Sequence, residues 1–577
     1  MDMLNVTIDG VKVSVPAGTT VLEAARMANI NIPTLCYLKD INQIGACRMC
    51  VVDVGARALA AACVMPVSEG MVVKTNTPAV RAARKSVLEL ILSNHKRECL
   101  SCLRNQNCEL QKLSKELGVD ENRFAGENID YPLDNFSTSI VRDPNKCILC
   151  RRCVAACRKV QQIGAIGAVE RGFKTQIAPA FGKLIGETDC VFCGQCINAC
   201  PVGALTEKDD TDKVWAAIND PEKIVVVQPA PAIRVALGEE FGLPIGTRVT
   251  GKLSQALKRL GFDKVFDTDF GADLTIMEEA NELVERIQNG GVLPMFTSCS
   301  PGWVKYLEHN FPEMIPNLSS CKSPMQMEGA IIKSYWAEKA GVDPEKIVVV
   351  AVMPCTSKKF ETARPEMALG GLRTVDISIT TRELARMIKS AGIRFAELPD
   401  EECFDELVAE STGAAAIFGV TGGVMEAALR TAADWVEGRS MEKIDYTAVR
   451  GLEGVKEAEV TVGGLNLKVA VASSTAAAKQ LIKKIQSGEA TYHFVEVMAC
   501  PGGCINGGGQ PIVNASTRMD VDYRAARGAG LYAEDEAKTI RKSHENPDIV
   551  KLYEEYLGKP GSHKAHELLH TSYTDRG

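Results

Sequence analysis

The sequence has few aromatic residues, no excess of basic charge and no long apolar run. Aromatic side chains make up 5% of the 577 residues, and the formal net charge is −7. Proteins that bind nucleic acid usually carry basic stripes, so that class is disfavoured. No stretch reaches the roughly eighteen uncharged apolar residues that a membrane-spanning helix needs. The N-terminus lacks a basic region, an apolar segment and a twin-arginine signal, so a cytoplasmic protein is predicted.

Cysteine, by contrast, is abundant, with 21 residues in the chain. The cytosol is reducing and disulfides are rare there, so these thiols need another explanation. The chain is also too long for one hydrophobic core, and about three to five domains are expected.

The texture of the sequence predicts a multidomain α/β and α+β protein with five segments. Residues 1–80 alternate like short strands around one helix, and residues 81–125 look helical. Residues 126–209 carry two similar cysteine runs. In residues 210–515, apolar strands alternate with amphipathic helices, which predicts a largely parallel sheet with helices on its faces. Residues 516–577 are predicted to form charged helices that pack on the preceding domain.

Three helices and five strands are predicted in the large domain. The helices are TIMEEANELVERIQ (275–288), TTRELARMIKSAG (380–392) and GGVMEAALRTAADWV (422–436). The strands are KIVVVQP (223–229), GVLPMFTSC (291–299), KIVVVAVMPC (346–355), AAAIFGV (414–420) and FVEVMAC (494–500).

The doubled cysteine run has the spacing of bacterial two-cluster ferredoxins, in which three close thiolates reach one cubane and the fourth crosses to the other. This predicts one [4Fe–4S] cluster on Cys147, Cys150, Cys153 and Cys200. It predicts another on Cys190, Cys193, Cys196 and Cys157. Structural zinc and buried free thiols are weaker interpretations, because zinc sites usually consist of separated Cys-x2-Cys pairs.

Two further groups of ligands precede that run. Four thiolates, Cys36, Cys47, Cys50 and Cys63, suit either [2Fe–2S] or zinc by count. A resemblance to the β-grasp ferredoxin-like domains of multi-cluster oxidoreductases favours [2Fe–2S].

The second group consists of His95, Cys99, Cys102 and Cys108. The histidine precedes the first cysteine by one helical turn, so both can face one site. This set suits zinc or [4Fe–4S]. Its place between two cluster domains favours the [4Fe–4S] cluster, because a redox-silent zinc would interrupt electron transfer between them.

Three longer motifs indicate a family. They are Thr297-Ser-Cys-Ser-Pro-Gly-Trp303, Met353-Pro-Cys-Thr-Ser-Lys-Lys-Phe-Glu361 and the segment EVMACPGGCINGGGQP at 496–511. With them, and with the terminal AHELLHTSY at 565–573, essentially the whole chain resembles the iron-only, or [FeFe], hydrogenases of the large clostridial type. The cysteines of these motifs follow apolar strands, whose carboxyl ends form the ligand crevice of open α/β sheets. Glycines such as Gly502 and Gly503 let backbone approach a bulky group closely.

The resemblance implies an H-cluster, a [4Fe–4S] cubane joined through one cysteine to a two-iron unit with CO, cyanide and a bridging azadithiolate. By motif position, the implied cubane ligands are Cys355, Cys500 and Cys504, the last of them bridging. Met353 and Met498 would pack beside the two irons, and Lys358 would donate to a cyanide. Without the motif, methionine is usually core filler and the lysine could be solvated.

One position departs from the family, which has two adjacent cysteines where this chain has Cys299 and Ser300. In the family the first relays protons and the second ligates the cubane. Three hypotheses follow for this chain: Cys299 is the ligand, Ser300 ligates as an alkoxide, or Cys321 supplies a thiol for either role. The first alternative is favoured, because an alkoxide is a harder ligand than a thiolate and suits an iron–sulfur cluster less well. A hydroxyl would then replace the relay thiol and slow or bias turnover, since it releases a proton less readily.

The family's proton path matches Glu279, Glu282 and Ser319, with Arg286 at its outer end. The three charged residues share one helix face, which is otherwise typical of a solvated surface. Buried carboxylates with a raised pKa carry protons well.

The predicted reaction is 2H⁺ + 2e⁻ ⇌ H₂, with electrons passing from a ferredoxin or flavodoxin through the accessory clusters. Separate maturation proteins would insert the two-iron unit. Alternatively, the chain is the hydrogenase subunit of a flavin-containing, NAD(P)H-linked or bifurcating complex, which requires a second polypeptide because no flavin or dinucleotide motif is present. A hydrogen sensor or a non-catalytic iron–sulfur protein is an alternative of another class. The predicted proximal cubane is the one on Cys190, Cys193, Cys196 and Cys157.

Overall fold

The chain folds into two compact units in a computed structural model that describes residues 2–119, 123–405, 410–442, 445–462 and 465–577. The first unit comprises Met1–Thr188, Cys196–Thr206 and Val513–Val521. The second comprises Asp189–Gln195, Glu207–Ile512 and Asp522–Gly577. Within the described ranges, no helix is long and apolar enough to cross a membrane.

The first unit begins with a small three-stranded sheet and one capped helix. The central strand, Met3–Ile8, pairs antiparallel with Val11–Pro16 and parallel with Val72–Val73. The predicted helix spans Val21–Met27 and begins with a capping box. The Thr20 side chain accepts a hydrogen bond from the Glu23 backbone, and the Glu23 carboxylate accepts one from the Thr20 backbone. Further helices of this unit are Pro78–Ser93, Glu109–Glu116, Arg152–Ala155 and Ala515–Asp520, and further strands are Val51–Val52, Ala60–Ala61, Ile140–Arg142, Gly167–Val169 and Gln176–Ala178.

The second unit contains two four-stranded sheets, whereas one was expected. The first sheet is entirely parallel, in the order Lys264–Val265, Ile224–Pro229, Ile347–Met353 and Ile377–Thr380. The second has the order Met295–Thr297, Phe494–Met498, Leu465–Ser473 and Val455–Val462, and its last strand is antiparallel to its neighbour. The hairpin of its last two strands was not predicted, because lysine and glutamate interrupt the apolar pattern there.

Helices cover these sheets, and the three predicted ones are confirmed as Thr268–Asn289, Thr381–Ser390 and Gly423–Glu437. The other longer helices of the second unit are Thr211–Ile218, Thr250–Leu260, Pro301–Asn310, Pro324–Ile331, Thr475–Gln486, Tyr523–Ala537, Pro547–Leu552 and His563–Leu569. The helix Thr381–Ser390 packs against the first sheet, and the helix Gly423–Glu437 packs against the second. Both sheets contain strands that precede motif cysteines.

The predicted strand at 414–420 is wrong. The segment forms the α-helix Gly413–Ala416 and then the short 3-10 helix Ile417–Gly419. Thr412 caps this helix, because its hydroxyl accepts a hydrogen bond from the Ala415 N–H. A short buried apolar run does not distinguish a strand from a helix, and here the cap and the alanines, which favour helices, decide the outcome.

Candidate active site

Three cysteine thiols converge on one cavity in the second unit. Cys299 and Cys355 each follow a parallel strand by two residues, and Cys504 begins a short helical turn. All three line a cavity of about 530 Å³. Cys500, which follows the strand Phe494–Met498, is buried, and its Sγ lies 4.0 Å from the Cys193 carbonyl oxygen. The strand ends therefore collect thiols at one place, as predicted from the chain.

The environment of Cys355, Cys500 and Cys504 disfavours the charged thiolate, whereas the hydrogen bond with Cys504 lowers the pKa of Cys299. Burial raises the pKa of Cys355 to about 11 and that of Cys500 to about 12. Cys299 and Cys504 are hydrogen-bonded to each other, and this contact together with burial raises the pKa of Cys504. Buried thiols grouped in this way can bind a metal group, because a bound metal ion supplies the positive charge that stabilises a thiolate.

The structure separates one of the three candidates for the variant position, Cys321, from the other two. Cys299 lies in the cavity with Cys355 and Cys504, and Ser300 lines the same cavity. The Ser300 hydroxyl also accepts a long hydrogen bond of 3.4 Å from the Ala499 N–H. Cys321 lines a neighbouring cavity of about 320 Å³, which Ser300 borders as well. The geometry thus groups Cys299, rather than Cys321, with the other thiols.

Two more predicted residues line the cavity, and a third lies close by. Met353 and Lys358 are on its wall, and the Lys358 Nζ donates to Ser323 and Glu361 at 2.7 Å each. The lysine is therefore held inside the protein and is not a solvated side chain. Met498 belongs to a buried apolar cluster against which Cys299 packs.

Gly502 and Gly503 do not line the cavity. Both have a positive φ, +87° and +96°. A Cβ on Gly503 would lie 2.7 Å from the Thr421 backbone nitrogen. Gly503 therefore allows the close packing of the loop beside Cys504, whereas Gly502 is favoured there by its positive φ alone.

The predicted relay residues form a continuous polar series that leads away from Thr297. Glu279 is buried and accepts a hydrogen bond of 2.6 Å from the Thr297 hydroxyl. Burial raises the pKa of Glu279 to about 8. The Ser319 hydroxyl donates to Glu282 at 2.8 Å, and Arg286 donates to the same carboxylate at 2.6 Å. This helix face is therefore an internal hydrogen-bonded series rather than a solvated charged surface.

Several polar neighbours of this series were missed from the sequence. The Tyr573 hydroxyl donates to the Ser319 carbonyl at 2.9 Å, and Ser320 contacts the His570 Nδ1 at 2.8 Å. His570 also pairs with Glu278, 292 positions away in the chain. No spacing rule links such distant residues, so only the fold reveals them.

Two of the four ligand sets predicted to hold accessory clusters are also grouped. In the N-terminal domain, the Cys36 thiol lies against Cys47 and Cys63, and Cys63 lies against Cys50. A separate cavity of about 450 Å³ is lined by the four thiols of one predicted cubane, Cys147, Cys150, Cys153 and Cys200. Of the other predicted cubane, Cys157 and Cys196 belong to the first unit, and Cys190 and Cys193 to the second.

The remaining predicted ligands and the last thiol have distinct environments. The Nδ1 atom of His95 is buried and has no hydrogen-bond partner, which suits a nitrogen that ligates a metal. Cys99 is exposed, while Cys102 and Cys108 are half-buried. Cys403, interpreted as a structural thiol, donates to the Ser254 hydroxyl at 3.4 Å.

Five family models match successive parts of the chain. They are the 2Fe-2S iron-sulfur cluster binding domain (1–78), the NADH-ubiquinone oxidoreductase-G iron-sulfur binding region (84–123), the ferredoxin-like domain of NADH-quinone oxidoreductase subunit 3 (137–206), the C-terminal domain of the iron only hydrogenase large subunit (223–508) and the iron hydrogenase small subunit (521–576). Together they define a multi-cluster oxidoreductase with a hydrogenase domain.

Relatives agree over the full length. The chain is 51% identical to the NADP-reducing hydrogenase subunit HndD of Solidesulfovibrio fructosivorans, over 100% of both chains. It is 47% identical to iron hydrogenase 1 of Clostridium pasteurianum, over 99% of this chain and 100% of that one. A solved structure of the [FeFe]-hydrogenase HydA1 of Chlamydomonas reinhardtii matches 64% of this chain and 100% of its own, with 44% identity and a TM-score of 0.58.

This chain belongs to the iron-only hydrogenase family, and it is an oxidoreductase. The family and the fold class predicted from the motifs are confirmed. Domains for [2Fe–2S] and [4Fe–4S] clusters and an H-cluster domain are present.

Proposed function

We propose that this hydrogenase performs 2H⁺ + 2e⁻ ⇌ H₂ in the cavity lined by Cys299, Cys355 and Cys504. The observation that carries the proposal is the convergence of these thiols beside Thr297, from which the buried series of Glu279, Ser319 and Glu282 leads outward.

The ligands of the catalytic cubane are proposed to be Cys299, Cys355, Cys500 and Cys504, with Cys504 bridging. The bound H-cluster, including a two-iron unit with CO, cyanide and an azadithiolate, would supply the redox chemistry and the site where hydrogen binds. Met353, which lines the cavity, and Met498, from the apolar cluster against which Cys299 packs, are proposed to pack beside the two irons. Lys358, held by Ser323 and Glu361, keeps an N–H donor at the cavity wall.

Protons are proposed to move between the cavity and the surface through Glu279, Ser319 and Glu282, with Arg286 at the outer end. A pKa of about 8 lets Glu279 hold a proton at neutral pH and release it readily. Ser300 or Thr297 would supply the hydroxyl nearest the cavity, because Cys299 is occupied as a ligand in this arrangement.

Electrons are proposed to pass through one [2Fe–2S] and three accessory [4Fe–4S] clusters, held by the cysteine sets predicted above and by His95. The unpartnered nitrogen of His95 and the shared cavity of Cys147, Cys150, Cys153 and Cys200 support these assignments. The domain boundaries at 80, 125, 209 and 515 are part of the same proposal.

The full-length similarity to a subunit of an NADP-reducing hydrogenase favours a complex with other subunits as the setting of this activity. A flavin- and NAD(P)-binding subunit is the proposed partner, and a ferredoxin or flavodoxin is the alternative electron carrier. Maturation proteins that insert the two-iron unit are proposed as well. No two of the 21 cysteines, all of which the structure describes, form a disulfide, and a cytoplasmic location is part of the proposal.

The test is hydrogen evolution from reduced methyl viologen by anaerobically matured protein, with infrared spectra of the CO and cyanide region. Turnover together with these bands supports the proposal. Bands without turnover favour a sensor or a crippled relay. Intact accessory clusters with neither bands nor turnover would overturn the proposal and favour a non-catalytic iron–sulfur protein. Co-purification of a flavoprotein would identify the complex.

A further inference from the structure

Three side chains with different metal-binding atoms meet at the outer part of the proposed proton path. The ligand atoms of Glu282, Cys321 and His570 all lie within 4.8 Å of one another. The Cys321 Sγ is 3.8 Å from the Glu282 Oε2. Bond lengths of about 2.3 Å to sulfur and 2.1 Å to oxygen place two ligands of a tetrahedral zinc about 3.6 Å apart. The pair is therefore already close to the spacing that zinc requires.

The histidine of this group is oriented by a second carboxylate. The His570 Nε2 lies 3.0 Å from Glu278, which also accepts hydrogen bonds from the Tyr553 hydroxyl and the Gly561 N–H. A carboxylate that accepts from the imidazole leaves the proton on Nε2, and the electron pair of Nδ1 then accepts the hydrogen bond of 2.8 Å from the Ser320 hydroxyl, which a bound ion would displace. This carboxylate–histidine arrangement is the one that fixes the tautomer of metal-binding histidines.

The surrounding charge favours a cation. Burial raises the pKa of the Cys321 thiol, and the carboxyl groups of Glu282, Glu279 and Glu278 raise it further when they are ionised. A divalent ion would reverse this effect and stabilise the thiolate. Arg286 is the opposing charge, because it pairs with the other oxygen of Glu282 at 2.6 Å. The oxygen that faces Cys321 instead accepts hydrogen bonds from Ser319 and the Ser320 N–H.

We propose that Glu282, Cys321 and His570 form a zinc site that controls proton transfer. One sulfur, one imidazole nitrogen and one carboxylate oxygen suit zinc, and water can take the fourth position. Zinc on the Glu282 Oε2 would displace the Ser319 hydroxyl that donates there. The bound ion would thereby interrupt the series between Glu279 and Arg286. This consequence rests on the proposed function, whereas binding itself does not.

The direct test is zinc K-edge X-ray absorption on full-length, cluster-loaded protein given one equivalent of zinc and then desalted anaerobically. The expected spectrum contains one sulfur at about 2.3 Å, with nitrogen and oxygen completing the shell. Cys321→Ala should remove the sulfur signal, and Cys403→Ala, a thiol elsewhere in the same unit, should retain it. Iron content and accessory-cluster EPR spectra establish that each variant is folded.

Alternative locations give different spectra. Asp434, His544 and Glu545 form a second possible cation site, which offers no sulfur. A wild-type spectrum without sulfur, one with four sulfurs from a displaced cluster, or a sulfur signal that survives Cys321→Ala would overturn the inference. Glu278→Gln tests the positioning role, and it should weaken zinc affinity about 10- to 100-fold while the sulfur signal of the bound ion persists.

Inhibition is measured separately, with each variant compared with its own zinc-free rate of hydrogen evolution. Zinc should slow the wild type, and a chelator should restore the rate. His570→Gln should require at least about tenfold more zinc for the same inhibition. A protein that binds zinc through Cys321 but makes no hydrogen would contradict the proposed function alone. An active enzyme without zinc binding would contradict this inference alone.

Discussion

The Thr297 hydroxyl donates a hydrogen bond of 2.6 Å to the buried carboxyl group of Glu279. Thr297 ends a strand of the second sheet, and Glu279 lies in the middle of the long helix Thr268–Asn289. This contact joins the start of the cysteine motif to the proposed proton path. It therefore makes the threonine a testable part of both.

Replacing Thr297 by valine should raise the pKa of Glu279 further, because the hydroxyl stabilises the ionised carboxylate. We expect slower hydrogen evolution and a shift of its alkaline limb to higher pH. Loss of the buried hydrogen bond should cost about 1–3 kcal/mol of unfolding free energy. Thr297→Ser keeps the hydroxyl and is the matched control. Equal pH profiles for the two variants would exclude this role.

Glu279 should also make stability depend on pH. Its pKa rises from 4.5 to about 8 on folding, chiefly through burial. Because the folded-state pKa is the higher one, its contribution to stability is fully present below pH 4.5 and is lost as the pH rises to about 8. Chemical unfolding of Glu279→Gln across this range should show a smaller decline than the wild type. A parallel decline in both proteins would contradict the burial argument.

The Cys299–Ser300 pair can be tested by restoring the second thiol. Ser300→Cys places a cysteine at the position that the family uses for the cubane, which would free Cys299 for proton transfer. Turnover should then increase while the infrared bands remain. Cys299→Ala in the otherwise unchanged chain should lose the bands, because a ligand is removed. If Cys299→Ala keeps the bands and loses only turnover, Cys299 is a relay and Ser300 or another group is the ligand.

Gly503 should tolerate no side chain. Its φ of +96° disfavours other residues, and a Cβ would lie 2.7 Å from the Thr421 nitrogen. Gly503→Ala should therefore reduce stability by at least about 1–3 kcal/mol and displace Cys504. Gly454→Ala is the control, because its φ is ordinary and nothing lies within 4 Å of the added carbon. Thermal unfolding and infrared band positions measure the two effects.

The extent to which the sequence could predict this molecule differs between its parts. Cysteine spacing and strand-terminal motifs identify the thiols around the cavity, because local spacing and strand direction determine where these ligands lie. The helix at 413–416 was missed because four small residues carry no periodicity. The neighbours of Cys321 could not be predicted, since Glu278 lies in a long helix and His570 follows a helix near the end of the chain, and only tertiary packing brings them together.

The contact between the Cys500 sulfur and the Cys193 carbonyl oxygen bears on the rate of electron transfer. Gly508 packs against the same carbonyl, where a Cβ would lie only 2.3 Å from its oxygen. If these cysteines ligate the catalytic and proximal cubanes as proposed, the last electron step crosses a single packed contact. Tunnelling rates fall exponentially with distance, so that step would be fast. The pace of turnover would then depend on how quickly protons and hydrogen enter and leave.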